Sequence, residues 1–314
     1  MLYVLRRFAV LVTTLLVASF LVFLIPYVTP GDPAARILRA RVGDLVQDPE
    51  TLTRLRTEYG LDRPLLQQYL SWLGAALQGD LGRSFTNGTE VLPQLMRALS
   101  VTATIAVLAL LFALLVAVPL GAVCAVRRGT TLDGAITGIT QAFVAVPEYW
   151  LAPVLVLVFA LQLGALPSSG WNGPSSMVLP CLTLALRPMS YFTQVARSSM
   201  IEVLEAPYIT AARSRGLSFA QAMLRHGLRN SILPVLTLFA VWLAGLLGGS
   251  VVVEVIFAVP GVGRLMYDAV INNDVPLIQG GVVAVVGLAV IITTLTDVLY
   301  TVINPTARTG RVRA

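Results

Sequence analysis

Pro147-Glu148 and Arg187-Pro188 place an acid and a base, each beside a proline, inside stretches otherwise almost free of charge. An ionised side chain at membrane depth costs about 2.5–3.5 kcal/mol or more, so each needs a partner or water. Two arrangements answer that need. Glu148 and Arg187 can form a buried ion pair joining adjacent helices, or Glu148 can face a hydrated path. The neighbouring prolines free backbone carbonyls, which suits a cavity better than lipid. Glu254, followed by Pro260 and Gly261, is a second acid, nearer the end of its apolar run and placed to shape an outer gate. No nucleophile–base pair and no metal constellation stands out within the apolar runs. The single histidine, His226, excludes a multi-histidine metal centre. Cys124 and Cys181 are too few for a disulfide framework and are expected near opposite membrane faces, unbridged.

The elements that position these groups follow from hydropathy. The chain has 314 residues, 56% hydrophobic and 12% charged, with a mean hydropathy of +0.81. A soluble domain has roughly a quarter charged residues, so this composition predicts an all-α integral membrane protein. Runs of the necessary length, about 20 apolar residues, lie at 8–29, 99–126, 135–163, 177–199, 232–256 and 279–303. They predict about six transmembrane helices. Arg6 and Arg7 precede the first, but its apolar run exceeds a signal peptide's core, so it is read as a retained span. Arg127 and Arg128, the arginines of 213–229, and Arg308, Arg311 and Arg313 all fall on one side if there are six spans. The positive-inside rule then makes both termini cytoplasmic.

The predicted organisation is a first helix over 1–30, a small external helical domain over 31–98, a five-helix core over 99–303 and a cytoplasmic tail over 304–314. Within 31–98, Asp48 and Pro49 suit a helix start and Gly60 a stop. A second helix follows Pro64, with Leu66, Tyr69, Leu70 and Leu73 at helical spacing, ending near Gly79. It serves either to cap the membrane domain or to dock an external protein.

The core is interrupted over 200–231 by a basic, Gly-punctuated hairpin containing "YITAARSRGLSFAQAMLRHGLRNSILP". Its first helix is read as a continuation of the fourth span, ending at Arg213 and Arg215 beside the negative end of its dipole. Gly216 supplies a left-handed cap. Ser218 and Gln221 stand at capping-box spacing and open a second helix, and Pro234 marks re-entry into the fifth span. A solvated topology-setting loop, a DNA-binding helix-turn-helix and a docking helix for a motor all share this pattern. Attachment to the membrane on both sides disfavours nucleic acid as a partner. For docking, Ala211, Ala212 and Gly216 allow close approach, while Phe219 and Met223 offer an apolar key. All 22 basic residues are arginine. A P-loop needs a lysine on the phosphates, so any ATP chemistry belongs to another chain.

The segment "YITAARSRGL" through "RNSILP" resembles the EAA loop of permease subunits of bacterial ATP-binding-cassette importers. "PGDPA", "YGLDRPLLQQYLSWLGAALQGDLGRSF", "RSSMIEVLEAPYI" and "VVVEVIFAVPGVGRLMYDAV" resemble its dipeptide, oligopeptide and nickel branch, covering essentially the whole chain. Thr210, Ala211 and Ala212 stand at the E-A-A positions, Gly216 at the glycine, and Ile232, Leu233 and Pro234 close the motif. Thr210 in place of the acid, and the longer Gly216–Pro234 separation, look like features of the peptide branch. The resemblance implies that Thr210, Ala211, Ala212, Arg213, Gly216, Leu217, Phe219 and Met223 couple to ATPase subunits that carry the ATP and Mg. It also implies a second homologous permease, an extracytoplasmic substrate-binding protein and a place in the bacterial plasma membrane. No cofactor is expected in this chain. Di- and oligopeptides are the default cargo, whose charged amino terminus Glu148 would meet; nickel, glutathione or haem-like cargo are alternatives. A proton-coupled secondary transporter with Glu148 as carrier is the rival from another class, without the inverted repeat that would support it.

Overall fold

The structure is a computed structural model that describes residues 2–28, 35, 38, 49–58, 60–223 and 227–303. Among these the fold is helical, with an isolated antiparallel bridge between Arg83 and Glu90 and no strand. Four helical segments are long and apolar enough to cross a membrane: Phe8–Val28, Val91–Val126, Ser231–Gly249 and Val275–Thr296. A fifth candidate is a bent pair. The chain is thus a multi-pass, all-α membrane protein by length and composition. It divides into two compact units, residues 1–102 with 260–294, and residues 103–259 with 295–314.

In the first unit, α1 (Leu2–Phe23) is followed, after a turn at Leu24, by α2 (Ile25–Val28). The two soluble-looking helices fall where capping signals place them, as α3 (Pro49–Glu58) and α4 (Leu65–Leu77). Gly60 and Gly79 take left-handed φ values of +64° and +86° after them. Asp48, the expected N-cap, lies outside the described residues. On α4 it is Tyr69 that is buried, against Phe20 and Phe23 at ring-centroid distances of 5.2 and 5.5 Å, with its hydroxyl 2.9 Å from Ser19 Oγ. Leu66 and Leu70 are 64% and 56% exposed. Aromatic contacts with α1 therefore choose the covered face, leaving Leu66 and Leu70 out while Leu73 is half-buried.

α5 (Val91–Val126) begins in this unit, and its first turns pack Val91, Leu95 and Ala98 against Val262, Ala269 and Leu277. Those partners belong to α13 (Val262–Ile271) and α14 (Val275–Ile303). Gly280 is required at this contact, because a Cβ there would lie 2.9 Å from Val91 Cγ1. Asp274, 2% exposed, ties the 84–86 loop to the start of α14. Its carboxylate accepts from the Ser84 hydroxyl, from Phe85 N at 3.1 Å, from Thr86 N at 3.3 Å and from Leu277 N at 3.4 Å.

The second unit takes up the rest of α5. α6 (Thr131–Ala145) and α7 (Glu148–Leu155), the latter running into a π-helical segment Val156–Gln162, bend by 101° at the break between them. A single span over 135–163 was expected here. The break itself has a local cause: Pro147 has no N–H to continue the ladder and drives Val146 out of the helical region, to φ −81°, ψ 118°. α8 (Pro174–Leu204) is the central helix, packed by α6, α7 and α11 (Leu228–Gly249). It covers the expected span 177–199 but misses the hydropathy criterion that the four apolar segments meet. Its inward positions are partly polar, and these satisfy themselves within the helix. Thr183, Ser190 and Thr193 donate to the carbonyls of Leu179, Leu186 and Met189 at 2.8, 3.0 and 2.8 Å. α11 ends at Gly249, before α12 (Val251–Ile256), so the expected run 232–256 is two helices. Pro234 lies inside α11 and does not mark its start.

Candidate functional site

The hairpin is built from local rules that can be followed bond by bond. α8 does not continue through it, contrary to the sequence expectation. Ala206, preceding a proline, is extended at φ −72°, ψ 141°, and Pro207 opens a new helix, α9 (Pro207–Ser214). α9 ends in a Schellman cap: Gly216 N donates to Arg213 O at 2.9 Å and Leu217 N to Ala212 O at 3.3 Å. The cap needs φ +96° at Gly216, a left-handed conformation that L side chains rarely adopt. The Arg215 guanidinium adds a bond to Ala211 O at 3.2 Å. The capping box follows, with Ser218 N donating to Gln221 Oε1 at 3.0 Å and Gln221 N to Ser218 Oγ at 3.3 Å. It opens α10 (Phe219–Ala222).

Ile209, Ala212 and Ala222, at 3%, 4% and 0% exposure, turn inward. Buried Gly227 seats the second arm beside Met223, Met200 and Val203, the last two on α8. Thr210, Ala211, Arg213 and Gly216 face out, and Leu217 and Met223 are half-buried. A Cβ on Gly216 would meet nothing within 4 Å among the described residues beyond its chain neighbours. The small outward-facing residues are therefore Ala211 and Gly216, while Ala212 belongs to the hairpin's own packing. Phe219 lies in α10, but its side chain is outside the described residues, as are His226 and Arg225.

Glu148 opens α7 at the 101° bend, half-buried, and among the described residues no ion pair joins it to Arg187 on α8. Arg187 itself is exposed on the surface of this chain. Glu254 is 1% exposed and accepts a 2.6 Å hydrogen bond from Ser250 Oγ. Its own carbonyl accepts from Val259 N at 2.8 Å, across Ala258 at φ 53°. Cys124 and Cys181 are free thiols.

Two ion pairs at the root of the hairpin escaped the sequence reading. Arg197 on α8 clamps Asp133 with both arms of its guanidinium, Nε to Oδ1 and Nη2 to Oδ2, each at 2.7 Å. Arg128 in the α5–α6 turn meets Glu205, the C-cap of α8, at 2.7 Å. Thr130 and Asp133 do show a capping spacing, but a partner 64 residues away leaves no mark in a single sequence.

A helical chain with several apolar spans and a capped polar hairpin between two long helices has the build of a multi-pass membrane transport component. Residues 117–309 match the family described as binding-protein-dependent transport system inner membrane component, and residues 1–106 match its N-terminal family. The chain belongs to this family of permeases of ATP-binding-cassette importers. It is 37% identical over 313 residues to a putative peptide transport system permease protein of Brucella abortus, covering 97% of this chain and 98% of that one. Against the dipeptide transport system permease protein of Escherichia coli it is 31% identical over 337 residues, covering 98% of each. Against the metal-staphylopine import system permease protein of Staphylococcus aureus it is 33% identical over 308 residues, again covering 98% of each. A crystal structure of a methionine ABC transporter in inward-facing conformations superposes with a TM-score of 0.56 at 18% identity, over 67% of this chain and 96% of that one. That likeness is one of fold.

Proposed function

We propose that this chain is the membrane-spanning permease subunit of an ATP-driven importer that moves di- and oligopeptides inward across the bacterial plasma membrane. The end-to-end similarity to peptide and dipeptide permeases carries the reading. ATP and Mg are held by one or two partner ATPase subunits, which grip the outward face of the hairpin at Thr210, Ala211, Arg213 and Gly216, with Leu217, Phe219 and Met223 alongside. A second homologous permease completes the pathway, and an extracytoplasmic binding protein delivers the cargo. Four apolar spans and the bent α6–α7 pair supply up to five crossings, and counting α8 as a crossing makes six. Six crossings leave both termini and the hairpin cytoplasmic and residues 31–98 outside. Glu148, at the bend, is the candidate acceptor for a peptide's charged amino terminus, and Glu254 shapes the outer gate.

The Staphylococcus relative, a metal-staphylopine import permease, favours a second cargo for the same machinery, a metal complex. The test is transport into proteoliposomes holding the full complex. Labelled dipeptide should enter only with ATP and the binding protein. Uptake driven by a pH gradient through this chain alone, without ATPase subunits, would sink the importer reading and revive the secondary transporter. Competition by a metal complex, with no competition by dipeptides, would move the cargo to the second reading.

A further inference from the structure

The α5–α6 turn is fastened to α8 at three successive levels, all within the second unit. Deepest is Gly121 on α5. A Cβ there would lie 2.6 Å from Ala196 Cβ, 2.8 Å from Thr193 O and 2.9 Å from Arg197 N, so the two helix backbones touch. One step out, Asp133 takes the bidentate clamp from Arg197. Its side chain is 7% exposed and that of Arg197 30%. Gly129 N also donates to Asp133 Oδ2 at 3.0 Å, and Asp133 N to Thr130 Oγ1 at 3.4 Å. The carboxylate thus holds the turn's backbone with one oxygen while both oxygens hold α8. Outermost is Arg128 on Glu205, with side chains 58% and 69% exposed.

These levels differ in what they can transmit. A planar guanidinium on a carboxylate at two points resists rotation as well as separation, which a single contact cannot. A pair shielded from solvent is also little screened by salt. The exposed Arg128–Glu205 pair is of the kind that contributes little. Beyond Asp133, α6 runs to Ala145, about 18 Å at 1.5 Å per residue, and ends at the bend that carries Glu148.

We infer that the Asp133–Arg197 pair is the strut that makes α6 follow the hairpin root, delivering a displacement of the hairpin to the bend at Glu148. Asp133 and Arg197 are positioning residues: they touch neither cargo nor nucleotide, and they act through α6. The inference rests on the importer reading above. It adds to that reading a defined route between two candidate sites that the sequence places 60 or more residues apart.

The experiment uses the full complex in proteoliposomes and reads peptide moved per ATP hydrolysed, together with copurification of all subunits and thermal unfolding. D133N keeps the shape and removes the charge. R197K keeps the charge and removes the fork. Both should cut peptide per ATP by about tenfold, the middle of the usual coupling range, while the partner subunits still hydrolyse ATP and copurify. The swap D133R/R197D should recover part of the loss. R128Q should change the ratio less than about twofold. If D133N does not accumulate, R197K carries the same readout. Unchanged peptide per ATP in D133N or R197K overturns the strut, as does a loss that follows falling assembly and stability with the ratio intact. A wild-type complex that burns ATP while moving neither peptide nor a metal complex overturns the importer reading and the strut together.

Discussion

Replacing Gly216 with valine tests the hairpin most directly, because two costs can be worked out and a third separated from them. The left-handed φ of +96° is hostile to a β-branched residue. Strain of that kind costs on the order of 1–3 kcal/mol. If the backbone relaxes instead, the Schellman bonds Gly216 N to Arg213 O and Leu217 N to Ala212 O are lost, at about 0.5–1.5 kcal/mol each. Either route takes about 2 kcal/mol, a roughly thirtyfold fall in the ratio of properly capped to uncapped hairpin. Apart from its chain neighbours, no atom of the described residues lies within 4 Å of the new Cβ, which leaves room there for a neighbouring protein. Asparagine tolerates left-handed backbone better than valine or alanine but is larger than alanine. In reconstituted complexes, peptide per ATP should fall by about tenfold or more in G216V. A backbone cause ranks G216N above G216A, and a partner pressed against Gly216 ranks G216A above G216N. Coupling in G216V equal to wild type would refute the argument, because neither the cap nor close approach would then matter.

Three further outcomes concern stability, read by thermal unfolding in detergent. G121V drives a branched side chain into the Thr193–Arg197 backbone and should cost about 1–3 kcal/mol or prevent accumulation. A258G removes the cost of holding an alanine at φ 53° and should stabilise by about 1 kcal/mol. D274A strands the Phe85, Thr86 and Leu277 N–H groups and the Ser84 hydroxyl. Bonds to a carboxylate are worth about 1.5–3 kcal/mol, so a loss of at least about 2 kcal/mol is expected, with D274N milder.

The hairpin's cap was legible because every interaction in it is local. A glycine past the last helical arginine and a Ser-x-x-Gln spacing act within a few residues, so the Schellman bonds and the capping box could be written down in advance. The same holds for α3 and α4, which begin at or just after prolines. The break at Ala206–Pro207 was also present as a pre-proline signal, but helical spacing of Met200, Val203 and Leu204 on its N-terminal side concealed it. At Pro147 the proline was visible and its consequence was not. A proline ends a helix locally, whereas the 101° turn depends on how α6 and α7 each find α8. On α4, periodicity marked Leu66, Tyr69, Leu70 and Leu73 as one stripe, yet only contact with Phe20 and Phe23 decides that Tyr69 is the buried member.

Composition and spacing by themselves determined the class of molecule. Burial in lipid demands long apolar helices, and a capped basic interruption between them demands another protein or water. Family membership rested on the same string of residues. Tertiary structure alone decided which charges meet. Asp133 and Arg197 are 64 residues apart along the chain, and a carboxylate's spacing says nothing about a guanidinium on another helix. The Gly121 crossing, where backbone touches backbone at Thr193 and Arg197, brings α5 and the turn that follows it against the stretch of α8 that carries Arg197.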